Sequence, residues 1–472
     1  MATFGVIISN RSFFPDHLVR TAREKLLRCL KEWGHTYVAL SPEDTFMGET
    51  MTYEKAEKCA ELFRRHARKI DGILVCLPNF GEETGVSDAI KKSGLTCPVL
   101  VQACDDDFDQ LQLENRRDAF CGKLSLCNNL RQQGIPYTLT TRHTCPVDGN
   151  EFHRDVERFA RICAVVKALR NARIAQIGAR VMPFRTVRYS EKLLQKSGIT
   201  VETEDFSEIL ADIARIHDDA RIQAKVEEIR AYGNISPGIS DEKLIRQARL
   251  CLALNDWMDA HHCTASAIQC WNTIETNYGC AACLAMSMMS ENGRPSACET
   301  DVMGAVSMLA LLHAGGVPPI YQDWNNNYGD APDKCINVHC SNYPACAFRE
   351  KPEIGELDIL ATTLGREVSF GALKGRVRAS GMTFLKVATD DENGIIRCYL
   401  GEGEFTDDPL PTFGGVAVCR VPDLNGLMHY IARNGFEHHV ALSQSLCADV
   451  LEEALGNYMG WQVYRHSGKG AP

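Results

Sequence analysis

The chain has 472 residues, 45% of them hydrophobic and 24% charged, which is the make-up of a globular protein of about three domains. Its formal net charge of −10 argues against nucleic acid or an anionic membrane as the main partner, and no run of about 18 uncharged apolar residues offers a membrane span. The 21 cysteines are scattered through apolar segments such as ARICAVV and RLCLAL, the pattern of buried free thiols, and MATFGVIIS lacks the basic start of a secretory leader, so a cytoplasmic protein is expected.

Residues 4–8 (FGVII) read as a strand. Residues 17–33 carry apolar side chains at helical spacing and stop at Gly34, a C-cap glycine. A strand at 37–40, a helix at 53–70, the wholly apolar strand 72–77 (GILVCL), a turn at Gly81, a helix at 84–92 and a strand at 98–102 follow. Strands apolar throughout and separated by helices predict a parallel sheet covered on both faces. A second α/β unit is expected from Asn171: strand 173–177 ending at Gly178, helix 186–195, strand 200–203, and a long helix 241–262 entered through Ser240. Strands at 267–270, 296–298 and 319–322 complete it, with a helix at 302–313. Beyond Cys346 the pieces 372–377, 382–387, 395–400 and 416–421 alternate or run apolar between Gly and Asp, which predicts a β-rich region closed by a helix at 446–458. The expected fold is therefore α/β: two Rossmann-like α/β domains, 1–170 and 171–345, followed by a β-rich C-terminal domain, 346–472.

The stretch SACETD, residues 296–301, carries the most chemistry. A strand ending at Glu299, with Thr300 or Asp301 capping the next helix, puts a carboxylate beyond the carboxyl end of a strand, where open α/β sheets bind ligands. Asp323 ends the next strand in the same way, 24 residues on, so two adjacent parallel strands would hold two carboxylates side by side. Close carboxylates repel unless a cation or a shared proton lies between them. The plainer alternative is a helix-terminal charge and a loop cap. His339 ends a further apolar run, and the pair His438–His439 stands in GFEHHV. A mixed Glu/Asp/His set suits a hard or borderline divalent ion such as Mn²⁺.

The segment ACETDVMGAVSMLALLHAGG with PPIYQDW resembles the signature of the L-fucose isomerases, and NVHCSNYP and EHHV resemble two histidine motifs of the wider L-fucose/L-arabinose isomerase group. The resemblance implies a cytoplasmic aldose–ketose isomerase that works through a cis-enediol, with Mn²⁺ held by Glu299, Asp323 and His439. His339 would be a fourth ligand or a substrate contact. Glu299 and Asp323 would share the acid and base work. The substrate would be a monosaccharide of the L-fucose or D-arabinose type, or a C6-modified aldohexose such as sulfoquinovose. The resemblance also implies a homo-oligomer, a hexamer or a trimer-based assembly, in which the first domain covers a neighbour's active site.

Gln269 and Trp271, after a strand end, are candidate sugar contacts. Arg11 and Arg180 follow the first strands of their α/β units and could hold a hydroxyl or an anionic substituent, Arg11 in trans. Two rivals stand beside the enzyme. One is a non-catalytic sugar-binding protein built from two α/β domains. The other is a zinc-stapled protein using Cys280 and Cys283 with Cys335 and Cys340.

Overall fold

The computed structural model describes residues 1–412 and 414–468. It divides into two compact units, Met1–Lys167 with Asn457–Gly460, and Ala168–Gly456 with the chain from Trp461 on.

The first unit is a parallel sheet of β1 (Thr3–Ile8), β2 (Thr36–Ala39), β3 (Gly72–Leu77), β4 (Val99–Ala103) and β5 (Thr138–Leu139) in the order β2-β1-β3-β4-β5. Period-2 alternation sorts the strands' side chains onto two cores. Phe4, Val6, Ile8, Leu74 and Cys76 pack with Phe152 and Phe159, while Ile7, Ile73 and Val75 pack with Phe63 and Val86. This is the doubly wound order whose crevice opens between β1 and β3. The expected helices form at Asp16–Glu32, Tyr53–Arg65 and Glu83–Ser93.

The second unit contains two sheets. The smaller is parallel, with β6 (Arg173–Ile177), β7 (Thr200–Glu204), β9 (Ala265–Ile268) and β10 (Ser296–Ala297) in the order β10-β9-β6-β7. The larger is mixed and mostly antiparallel. Its path runs β11 (Ile320–Asp323), β19 (His439–Ser443), β16 (Ser380–Asp390), β17 (Ile395–Thr406), β18 (Gly415–Arg420), β15 (Phe370–Arg376), β14 (Glu353–Glu356), β8 (Asn234–Ile235). Off this path, β12 (Asn326–Asn327) pairs with β13 (Lys334–His339), β13 also pairs with β18, and β20 (Gln462–His466) pairs with β17.

Three local expectations give way to tertiary contacts. The strand ending at Asp323 does not lie beside the strand before Glu299 in one parallel sheet; it pairs antiparallel with β19 in the larger sheet. Thus the two carboxylates come from different sheets. The expected helix 186–195 is a short 3₁₀ turn, Arg185–Val187, and a helix that starts only at Glu191. The residues between are held extended by other partners: Tyr189 donates its hydroxyl hydrogen to Gln176 at 2.6 Å, and Ser190 N donates to Thr389 Oγ1 at 3.0 Å. The closing helix is α-helical only over Ala448–Glu452 and continues with π geometry to Tyr458.

The helix Val302–Gly315 lies at the heart of the second unit, buried on nearly every side. Asp301 caps it by accepting from Gly304 N at 2.7 Å, and Gly316 ends it in the left-handed region. A Cβ on Gly304 would stand 2.4 Å from the Tyr321 hydroxyl, so glycine is what lets β11 approach this turn.

Candidate active site

Glu299 is held by a strained turn. Both Glu299 and Thr300 have positive φ, 59° and 60°, a costly conformation for any residue with a side chain and more so for Thr300, which is branched at Cβ. The turn leaves Glu299 only 6% exposed. Trp271 Nε1 donates to Glu299 Oε1 at 3.0 Å, and Oε2 faces His439 Nε2 at 2.9 Å.

Asp323 ends β11 directly opposite His439, the first residue of β19. Asp323 Oδ1 lies 3.6 Å from His439 Nε2, 3.8 Å from His438 Nε2 and 3.9 Å from His339 Nε2. This oxygen is buried without a hydrogen-bond partner, and so is His339 Nδ1. Asn337 Nδ2 donates to the Asp323 carbonyl at 2.8 Å, fixing the strand end. Four of the expected residues, Glu299, Asp323, His339 and His439, therefore converge, with Trp271 behind Glu299. Ligands about 2.1 Å from one small ion and at right angles stand about 3 Å apart. The 2.9–3.9 Å spacings and the unpaired Asp323 oxygen fit a divalent cation.

A buried relay unforeseen in the sequence supports this cluster. Asp301 Oδ2 lies 3.0 Å from His439 Nδ1 and accepts from Lys386 Nζ at 2.6 Å; Tyr321 also donates to it. Asp301, Lys386 and His439 are fully buried, and Glu437 lies 4.0 Å from Lys386. The electrostatics follow. Burial works to raise Asp301, yet the Lys386 charge and the His439 hydrogen bond hold it far below the usual carboxyl range. Burial works to lower His439, but hydrogen bonds to Asp301 and Glu299 lift it to about 9. Burial also works to raise Glu299, and the His439 bond with the His339 and His439 charges brings it below its ordinary value. Glu437 is raised by burial, partly offset by Lys386. With Nδ1 tied to Asp301, Nε2 is the atom of His439 aimed at the cluster, the arrangement a ligating histidine needs.

Two cavities border these residues. One of about 360 Å³ is lined by Glu299, Asp323, His339, Cys340 and Lys374 among others. The other, about 730 Å³, is lined by Arg180, Arg185, Arg188, Thr300, Thr389 and Glu437 among others. Phe184 packs edge-on against Trp271 and His438, with ring centroids 5.3 and 5.8 Å apart.

The remaining expected residues are placed as follows. Gln269 is committed within the fold: its Oε1 accepts from Ala179 N at 3.0 Å and its Nε2 donates to Thr273 Oγ1 at 2.9 Å. Arg180 donates to the carbonyls of Val181 and Met182 at the rim of the larger cavity. Arg11 lies in the first unit at the β1/β3 crevice, where it donates to Gly81 O and Glu83 Oε2, each at 2.8 Å, and stacks on Phe80. Among the described residues, Cys280, Cys283, Cys335 and Cys340 do not form a four-thiol group; Cys340 clusters instead with Cys298 and His339. No helix among the described residues is long and apolar enough to cross a membrane.

Comparison with known proteins sets the class: the chain is an aldose–ketose sugar isomerase. The model of the fucose/sulfoquinovose isomerase N-terminal domain matches residues 5–170, and that of the L-fucose isomerase C-terminal domain matches residues 337–467. The chain belongs to the fucose/sulfoquinovose isomerase family. His339 and His439 lie within the second matched stretch, and Glu299 and Asp323 precede it. Sulfoquinovose isomerase of Clostridium sp. (strain MSTE9) is 24% identical over 372 residues, covering 76% of this chain and 78% of that protein. Sulfoquinovose isomerase of Priestia aryabhattai is 23% identical over 344 residues, 72% of this chain and 73% of that protein. That of Alkalicoccus urumqiensis is 29% identical over 218 residues, 45% and 46% of the two chains.

Proposed function

We propose that this isomerase interconverts an aldohexose bearing an anionic group at C6, of the sulfoquinovose kind, with its 2-ketose, using a divalent cation held by Glu299, Asp323, His439 and His339. The observation that carries the cation is the convergence of His439 Nε2, Glu299 Oε2 and the unpaired Asp323 Oδ1, with His439 Nδ1 tied to Asp301. Mn²⁺ suits this oxygen-and-imidazole set. Bound there, it would polarise the sugar carbonyl and acidify the neighbouring C–H and O–H groups.

The chain's own groups then divide the work. Glu299 and Asp323 are the acid–base pair that carries the C2 proton to C1 through a cis-enediol and balances the hydroxyl protons. Trp271 holds Glu299 Oε1 and so fixes the carboxylate with Oε2 toward the cluster. Asp301, itself neutralised by Lys386, keeps His439 Nδ1 protonated. Phe184 covers Trp271 and the histidine pair with an apolar ring, limiting water at the reacting carbons.

The cavity edged by Arg180, Arg185 and Arg188 supports an anionic substituent, because guanidinium forks match sulfonate and phosphate oxygens. The sulfoquinovose isomerase relatives point the same way. We further propose a cytoplasmic homo-oligomer in which Arg11 reaches a neighbour's sugar. The test is an aldose panel in D₂O with Mn²⁺, read by NMR: L-fucose, D-arabinose, L-arabinose, D-glucose and sulfoquinovose, with and without chelator. Chelator-sensitive ketose from sulfoquinovose, with deuterium at C1, is the expected result. Faster turnover of L-fucose or D-arabinose would overturn the anionic assignment, and ketose without deuterium would replace the enediol by a hydride shift.

A further inference from the structure

Next to the carboxylate–histidine cluster lies a group of thiols that the isomerase chemistry does not use. Cys298 directly precedes Glu299, and Cys340 directly follows His339. Ligand atoms of Cys298, His339 and Cys340 all lie within 4.8 Å of one another. Cys298 is fully buried, whereas Cys340 is only partly so and lines the 360 Å³ cavity beside Asp323. His339 is 7% exposed, and its Nδ1 has no hydrogen-bond partner. Cys270 stands behind, its sulfur 2.9 Å from that of Cys298.

We propose that Cys298, Cys340 and His339 form a second cation site, selective for thiophilic ions such as Zn²⁺ and Cd²⁺, that shares His339 with the carboxylate site and inhibits the enzyme when filled. Two thiolates and one imidazole supply three corners of a tetrahedron and select soft or borderline ions, whereas Glu299, Asp323 and His439 select harder ones. Binding releases two protons, one from each thiol, and changes no oxidation state. Cys270 is positioned to donate its S–H to the Cys298 thiolate, the outer hydrogen bond that metal-bound sulfur favours. The cavity gives an ion access through Cys340. Only the inhibition clause rests on the isomerase reading, because it needs His339 to serve both sites.

The test uses the full chain carrying Cys121→Ser and Cys346→Ser, which removes the two exposed thiols. The metal-free protein is titrated with Cd²⁺ and followed by thiolate-to-metal charge-transfer absorption. One equivalent should saturate the band. Cys340→Ser in the same background should weaken binding by about tenfold or more, and Glu299→Gln should retain the band. Cys298 is deeply buried, so Cys340→Ser is the decisive variant and Cys298→Ala the supporting one. A band unchanged by Cys340→Ser overturns the site. In turnover assays at saturating Mn²⁺, Cd²⁺ should inhibit the reference protein at about tenfold lower concentration than it inhibits Cys340→Ser. Equal inhibition would overturn the sharing of His339, while absence of turnover with every sugar would count against the isomerase reading and leave the absorption test to decide the cation site.

Discussion

Asp323 and His439 are direct cross-strand partners where β11 and β19 pair antiparallel. Strand register therefore sets the 3.6 Å between the Asp323 oxygen and His439 Nε2, and a slip of one residue would turn either side chain to the other face of the sheet. The site's most demanding spacing thus rests on backbone hydrogen bonds rather than on a flexible loop.

Glu299→Gln and Asp323→Asn keep shape and remove charge. Each is expected to lower kcat by at least about 10³, since each loses a proton-transfer group and a cation ligand together. Mn²⁺ affinity, read by competition with a metal indicator, should fall in parallel. Near-normal turnover in either variant would remove that residue from the acid–base pair.

Asp301→Asn touches no sugar. It leaves buried Lys386 with only Glu437, 4.0 Å away, as a charged partner, a loss of about 3 kcal/mol, and gives His439 Nδ1 a neutral partner. Thermal unfolding should show the destabilisation, and cation affinity should drop about 10- to 100-fold. Adding Lys386→Met should restore stability without restoring affinity. Recovery of both would mean Asp301 acts only by pairing with Lys386.

Arg185→Ala and Arg180→Ala are expected to raise KM for an anionic aldohexose about tenfold or more, with KM for a neutral sugar unchanged, because each removes a charge-assisted hydrogen bond. Arg11→Ala tests the contribution in trans. If single replacements of Arg11, Arg180 and Arg185 all leave anionic sugars unaffected, the anion lies elsewhere.

Gly304→Ala should invert the usual helix trend. In an ordinary helix interior the change stabilises by about 1 kcal/mol. Here the new Cβ meets the Tyr321 hydroxyl, so a net loss of about 1–3 kcal/mol is expected in denaturant unfolding. A more stable variant would show that β11 can move away from the helix.

Lys123 gives the first unit a pH-dependent stability. Burial lowers its pKa to about 8, although its ammonium donates to Thr140 Oγ1 at 2.6 Å and to His143 O at 2.8 Å. Between pH 8 and about 10.5 the unfolded chain binds the extra proton, so stability rises with pH across that window and this term is flat below it. The total is about 3 kcal/mol. Lys123→Met should abolish that slope in unfolding measured from pH 7 to 10.5, and a persistent slope would assign it to another group.

Much of the local structure was legible because its causes are local. GILVCL, apolar at every position, reads as a strand covered on both faces and is one, and the helical period of residues 17–33 predicts the amphipathic helix that forms at Asp16–Glu32. Glu299 and Asp323 were legible from their strand-end positions, motif resemblance picked His339 and His439 to go with them, and the fold brings the four together. Asp301 was readable only as a helix cap, which it is, and its second role depends on Lys386 and His439, 85 and 138 residues away. Lys386, in MTFLKVA, looks like an ordinary strand lysine until β16 seats it beside Asp301.

The sequence by itself determined where the chain is apolar, where it turns and which side chains could do chemistry, since hydrophobic period, glycine placement and side-chain type act over a few residues. Only the tertiary structure decided that Asp323 arrives on an antiparallel strand, that Glu299 comes from a different sheet, and that a lysine neutralises the aspartate behind His439. Strand partners and buried ion pairs are chosen by long-range packing, where desolvated charges must find one another across the whole fold.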